Sequence, residues 1–330
     1  MKGLSFDDVL IVPSQSKVEH REKDIVLATF VTKSHRLQLP VISSPMDTVT
    51  SVQTIIELGK LGGLGVAHRF QSIDDECNVL IEAKKHGDFL LAAAVGATDD
   101  YIERAKALVH VGAEIIFIDI ANGHSIVALR AIEGLRKEIV SDIVGPNIAT
   151  LEGADAQVNR GVSALRVGLG NGAACTTRSV AGVGVPQITA LQWVFNNGEQ
   201  RVPIISDGGI EHVGDAVKAF AAGASTVMLG KYLAGTHEAP GELVGGFRAY
   251  RGSASFEAMS ASGHAYRAPE GVSMRVPYTG TIQDVMNTFV WGLRSGMSYC
   301  GAFTIEEMHN RLEFIEITSA GMKESGARYS

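Results

Sequence analysis

The sequence predicts a (β/α)8 barrel of the α/β class. Three observations predict it: eight short apolar runs, amphipathic stretches between them, and a spacing of 22 to 38 residues from one run to the next. Regular alternation of strand and helix makes parallel βαβ units. Eight such units in one chain close into a barrel, which commonly takes about 250 residues. An open doubly wound sheet is the alternative, and it is weaker because no GxGxxG follows the first run.

The runs are LPVISSPM (39–46), LGVAHR (64–69), FLLAAAVG (89–96), EIIFIDIA (114–121), DIVGPNIA (142–149), ALRVGL (164–169), VPIISDGG (202–209) and STVMLGK (225–231). They are continuous rather than alternating and rich in β-branched residues, the pattern of parallel strands covered on both faces. Helical spacing follows. After Asp99, Ile102, Ala105 and Leu108 recur on one side, with Glu103, Arg104 and Lys106 on the other; after Glu211, Val213, Ala216, Val217 and Phe220 form a stripe. Two stretches break the rhythm. One is the Gly-rich GLGNGAACTTRSVAGVGVPQ after the sixth strand; the other, about 238–280, follows the eighth strand and carries little periodicity. Loops this long in a compact domain are commonly functional, and both leave the strand ends where barrel enzymes build their sites. The expectation is one domain, 1–330, with a flap at about 238–280.

Composition narrows the function. Apolar residues are 45% and charged residues 20%, an ordinary globular balance. The net charge of −7 opposes a nucleic-acid or anionic-membrane partner. Cys77, Cys175 and Cys300 are too few and too scattered for a disulfide framework or a zinc site, which points to a reducing compartment. The N-terminal MKGLSFDDVL carries two acids where a signal peptide needs an apolar run. No apolar stretch approaches the roughly 18 residues of a membrane span. The expected location is the cytoplasm.

Several residues carry candidate chemistry. Cys175 lies in the Gly-rich loop before Thr176, Thr177 and Arg178, where a thiolate can act as nucleophile. SDGG (206–209) and LGK (229–231) end strands seven and eight, whose loops commonly bind phosphate in barrels. Gly208, Gly209 and Gly230 would offer backbone amides, Lys231 a charge, and Asp207 an acceptor for ribose hydroxyls. Asp119, Asn122 and Gly123 end the fourth strand as DIANGH, polar residues fit for a site lip. Arg267 and Glu270 lie in YRAPEG on the flap, where a carboxylate can serve as acid or base.

Together these motifs resemble the IMP dehydrogenase / GMP reductase family. The resemblance runs from LSFDDVLIVPS (4–14) through SSPMDTVT (43–50), IDIANGHS (118–125), GPNIAT (145–150), GNGAACTTRSVAGVGVPQ (170–187), SDGGI (206–210), VMLGKYLAGTHEAPGE (227–242) and YRGSAS (250–255) to GLRSGMSYCGA (292–302). It implies a (β/α)8 homotetramer that binds a purine nucleoside monophosphate beside a nicotinamide cofactor. It implies Cys175 as nucleophile, with Thr177 and Glu270 handling protons. Asp207 matches the ribose ligand. Gly209, Gly230 and Tyr250 match phosphate contacts, and Ser44 and Met46 match residues under the nucleotide. Asp119 and Asn122 match the cofactor side, and Gly123, next to Asn122, is expected there too. Carbonyls of Gly170, Gly172 and Cys175 match a potassium site, completed by residues 324–326 of a neighbouring copy. Gly252 and Ser253 belong to the substrate-side YRGSAS motif, and Arg267 of the flap is expected on the substrate side with them. Two positions depart from the family pattern: Ala173 stands where serine is usual, and Lys231 where serine or glycine is.

The two family reactions divide on the flap. A dehydrogenase needs a base for water, supplied in that branch by an Arg–Tyr pair on the flap, and a pair of CBS modules commonly interrupts its barrel after strand two. Here HRFQSIDDECNVLIEAKKHGDF (68–89) runs straight on, and the flap has Tyr266–Arg267 in reverse order before Glu270. These features resemble a reductase, which converts GMP and NADPH to IMP and ammonia. SSPMDTVT, RVPYTG (275–280) and SAGMKESG (319–326) resemble dehydrogenases, which use IMP and NAD. The reading adopted is the reductase, with the dehydrogenase and a nucleotide-binding barrel without turnover as alternatives.

Overall fold

A computed structural model describes residues 2–195, 202–256, 268–309 and 312–326. Eight strands form the barrel: β1 (Val41–Ser43), β2 (Val66–Ala67), β3 (Ala92–Val95), β4 (Ile115–Ile118), β5 (Asp142–Val144), β6 (Leu165–Val167), β7 (Ile204–Asp207) and β8 (Thr226–Leu229). Parallel ladders run β2-β3-β4-β5 and β6-β7-β8-β1. Parallel bridges Ile42–Leu64 and Val144–Ala164 join the two halves and close the ring.

Eight helices surround it: α1 (Val52–Lys60), α2 (Ile73–Lys84), α3 (Tyr101–His110), α4 (Ile126–Glu138), α5 (Leu151–Val158), α6 (Gln187–Phe195), α7 (Val213–Ala221) and α8 (Ile282–Cys300). Local chemistry starts them. The Ser51, Ser72, Ser125, Thr150 and Thr281 side chains each accept a hydrogen bond from a first-turn amide of α1, α2, α4, α5 and α8. Gly301, at φ +68°, ends α8 in the left-handed conformation. Among the described residues no helix is long and apolar enough to cross a membrane.

The strands are buried on both faces, and alternate residues divide between two cores. Ile42, Ala92, Ala94, Ile115, Phe117, Val144, Ile205 and Met228 fill the barrel interior. Their neighbours Val41, Ala93, Ile116, Ile204 and Val227 pack outward under the helices. This two-residue period decides which polar side chains at the strand ends face the barrel axis.

Two regions hold more structure than the sequence suggested. The stretch read as a flap of little periodicity contains an antiparallel sheet of β9 (Leu243–Val244), β10 (Phe247–Arg251) and β11 (Ser273–Pro277), with Tyr250 opposite Met274. Only Arg248 and Tyr250 of β10 are buried, so its buried face carries no continuous apolar run and leaves a weak pattern. Before β1, the hairpin Thr29–Phe30/Arg36–Leu37 sends Val31 and Leu37 into the interior core, and Val9–Ile11 pairs with Phe314–Glu316.

Candidate active site

The apolar interior ends one layer below the C-terminal rim, and charge begins there. Arg166 lies between Leu165 and Val167, which pack outward, so its guanidinium turns into the barrel. It is 7% exposed. Its Nε donates to Asp207 Oδ2 at 2.8 Å and its Nη1 to Asp119 Oδ1 at 3.0 Å. Asp207 ends β7 and Asp119 follows β4, both on inward registers. Asn147 Nδ2 also donates to Asp207 Oδ2, at 2.8 Å, and Arg69 Nε forms a 3.5 Å ion pair with Asp119 Oδ2. Burial works against a charged Arg166, but the pull of Asp207 and Asp119 outweighs it and holds the guanidinium above its usual range.

Above this floor sits the cysteine loop. Cys175 is half-buried, and its Sγ lies 3.2 Å from Thr177 Oγ1. The loop is paired to the flap by backbone. The Thr176 amide donates to Glu270 O at 2.8 Å, the Val272 amide to Ala174 O at 2.9 Å, and Cys175 bridges Gly271. Segment 270–272 is held in turn by 252–255: the Gly252 amide donates to Val272 O and the Glu270 amide to Ala254 O, both at 3.1 Å. The backbone at Glu270, 95 residues from Cys175 in sequence, is therefore held against the cysteine loop by main-chain hydrogen bonds, and Glu270 lines the same cavity as Cys175.

The opposite wall is built from strand-end glycines. Gly208 and Gly209 have φ of +90° and +79°, conformations glycine adopts without strain. A side chain at Gly230 would meet Tyr250 Oη at 3.0 Å and Ser44 Oγ at 3.3 Å, so bareness there lets β1, β8 and β10 converge. Burial pushes the Tyr250 phenol well above its usual range, and Asp207 adds to the shift; it remains a neutral hydroxyl. Lys231 Nζ lies 2.8 Å from Glu211 Oε1.

All of these surround one cavity of about 310 Å3, in the range of small-molecule sites. Ser44, Met46, Asp119, Gly170, Gly172, Cys175, Thr177, Asp207, Gly208, Gly209, Gly230, Lys231, Tyr250, Gly252, Ser253 and Glu270 all line it. Asn122 and Gly123 are not brought into it. Asn122 Oδ1 accepts the His124 amide, and Gly123 is buried, its amide donating to Asn147 O and its carbonyl accepting Gln157 Nε2. Arg267 lies outside the described residues.

Residues not singled out from the sequence also line it: Arg69, Asn147, Arg166 and Asn171. Arg166 had a signal, a lone charge inside the apolar run ALRVGL. Asn171 had none, since its Nδ2 bonds to Asp207 O (3.0 Å) and Gln187 Oε1 (2.6 Å) exist only in the fold.

Ile120 and Ala121 also line the cavity. They offer apolar surface on which a flat nicotinamide ring can stack, so the residues fit a nicotinamide cofactor. The carbonyls of Gly170, Gly172 and Cys175 are hard oxygen donors suited to a monovalent cation, although Gly172 O already accepts the Cys175 amide at 2.9 Å. Among the described residues no cluster of His, Cys, Asp and Glu could hold a metal ion.

The sequence matches the IMP dehydrogenase / GMP reductase domain family over residues 3–328. It is 36% identical to an inosine-5'-monophosphate dehydrogenase of Cryptosporidium parvum, across 98% of this chain and 94% of that protein. It is 32% identical to the enzyme of the same name from Aquifex aeolicus, across 98% and 95%. The Aquifex alignment runs over 466 positions, far beyond the 330 residues here, while the Cryptosporidium alignment runs over 381. Among solved structures, a cysteine-to-alanine variant of GMP reductase from Trypanosoma brucei, in complex with guanosine 5'-monophosphate, superposes with a TM-score of 0.94. Identity is 28%, over 100% of this chain and 98% of that one.

Proposed function

The chain belongs to the IMP dehydrogenase / GMP reductase family, and we propose that within it the chain is a GMP reductase. It takes GMP and NADPH to IMP and ammonia. The carrying observation is the docking of Glu270 on the Cys175–Thr177 loop, together with a flap that lacks an Arg–Tyr pair for activating water.

The residues divide the work as follows. GMP lies with its phosphate toward Gly208, Gly209, Gly230, Lys231 and Tyr250, its ribose on Asp207 and its base above Ser44 and Met46. Cys175 gives up its proton through Thr177 to Glu270, and the thiolate attacks the purine carbon that bears the amino group. Glu270 returns the proton to the departing nitrogen, and ammonia leaves. The reduced nicotinamide, when bound, supplies the hydride that this carbon receives as the Cys175 thiolate departs. Asp119, Ile120 and Ala121 would hold that cofactor. Potassium on the carbonyls of Gly170, Gly172 and Cys175, a homotetramer and a cytoplasmic location complete the proposal by likeness to the family.

A second reading, IMP dehydrogenase with NAD, is favoured by the names of the curated relatives. Chain length does not separate the two, because the Cryptosporidium dehydrogenase also aligns without a long excess. Two absorbance assays do. GMP with NADPH should consume reduced nicotinamide, and IMP with NAD should produce none. Production in the second with XMP formed would overturn the reductase reading. Silence in both, with a Cys175 that resists alkylation, would leave a binding protein.

A further inference from the structure

We propose that Arg166 is a positioning residue that ties the nucleotide-side carboxylate, Asp207, to the cofactor-side carboxylate, Asp119, so that the state of one subsite sets affinity at the other. This rests on the GMP reductase reading for which ligand each carboxylate meets. The geometry points to coupling rather than to two separate ion pairs. One planar, rigid guanidinium makes both bonds, Nε to Asp207 at 2.8 Å and Nη1 to Asp119 at 3.0 Å. Such a fork cannot turn to follow one carboxylate without leaving the other.

The remaining contacts sharpen this. Both protein donors to Asp207, Arg166 Nε and Asn147 Nδ2, fall on Oδ2; among the described residues none falls on Oδ1, which is left to the cavity. Asp119 divides its oxygens between Arg166 and Arg69. The group holds two carboxylates and two guanidiniums, so it is neutral as a unit. Removing one charge leaves an uncompensated partner in a site where Arg166 is 7% exposed. A ligand that draws on Asp119 shifts the guanidinium, and the shift is felt at Asp207. By linkage the effect is reciprocal.

The test is a double-mutant cycle on binding, not on turnover. GMP affinity is measured by calorimetry, without cofactor, for the wild type, Asp119→Asn, Arg166→Met and the double variant. Asp119→Asn is expected to weaken GMP binding about fivefold although Asp119 is on the cofactor side, and to do nothing further once Arg166 is Met. Arg166→Lys, which keeps the charge but not the fork, is expected to lose the coupling while retaining the melting temperature of the wild type. Unchanged GMP affinity in Asp119→Asn, or losses that multiply in the double variant, would overturn the proposal and leave the reductase reading standing. If Arg166→Met does not fold, a retained Asp119→Asn effect in Arg166→Lys overturns it equally. A wild-type protein that binds neither GMP nor IMP would overturn both.

Discussion

Cys175 Sγ stands 3.2 Å from Thr177 Oγ1, two residues along a loop whose backbone is pinned to the flap on either side of that thiol. A hydroxyl at this distance can pass a proton from the sulfur to a third group, and Glu270, whose backbone is paired to this loop, lines the same cavity. The relationship joins a local feature, Cys-Thr-Thr, to a long-range one, the return of segment 270–272 to the cysteine loop.

Changing Cys175 to Ala should abolish turnover while GMP affinity stays within about threefold of the wild type, since the thiol is needed for bond formation rather than for holding the nucleotide. Loss of both together, in a protein that melts normally, would mean that the loop binds rather than reacts. Thr177→Val, which keeps the shape and removes the hydroxyl, should slow turnover by about 10- to 100-fold.

Glu270→Gln keeps the backbone bonds to Thr176 and Ala254, because these use main-chain atoms. The protein should therefore fold and bind GMP, and ammonia release should slow by about 100-fold or more. Rapid-quench measurement of ammonia against nicotinamide oxidation checks this. Unaltered ammonia release would remove Glu270 from the proton path.

Lys231 lines the cavity, yet its ammonium is held at 2.8 Å by Glu211. The pair is a third to a half exposed and worth little to stability. A bound phosphate would compete with Glu211 for the lysine. Lys231→Ala should raise KM for the nucleotide about tenfold with kcat little changed, and Glu211→Gln should lower KM. The steady-state constants of both variants decide it; if Glu211→Gln raises KM, the pair serves to position Lys231 rather than to restrain it.

Away from the site, Glu76 on α2 is fully buried, its Oε2 accepting from Arg104 Nη1 of α3 at 2.7 Å. Burial pushes the Glu76 carboxyl up to about 8, against the downward pull of Arg104. A carboxyl raised in the folded state binds a proton that the unfolded chain has already lost, so stability falls as pH rises from the ordinary carboxylate range toward 8, and levels above it. Glu76→Gln should flatten that slope. Melting temperatures of both proteins from pH 5 to pH 9 test it: the wild type should lose several degrees across the interval, at about 2 °C per kcal/mol, and the variant little. Parallel curves would show that Glu76 is ionised throughout.

The barrel was legible because each of its units is local. Alanine-, isoleucine- and valine-rich runs such as FLLAAAVG and EIIFIDIA mark strands buried on both faces, and the stripe of Val213, Ala216, Val217 and Phe220 marks α7. The cavity residues Cys175, Asp207, Gly208 and Gly230 were legible for the same reason: they sit at strand ends or on the loop that leaves one, where the fold itself places a site. Asn122 and Gly123 also sit at a strand end, but Asn122 is spent on the His124 amide of its own turn and Gly123 on Asn147 O and the Gln157 side chain. Tertiary structure alone decided the rest. Whether the ring closes rests on Ile42–Leu64 and Val144–Ala164, whether segment 270–272 returns to the cysteine loop rests on a pairing across 95 residues, and what Arg166 and Lys231 face rests on Asp207, Asp119 and Glu211. Periodicity reports which side of its own element a residue takes; it carries no information on which distant side chain shares that side. Charge pairing across a barrel is a property of the closed fold.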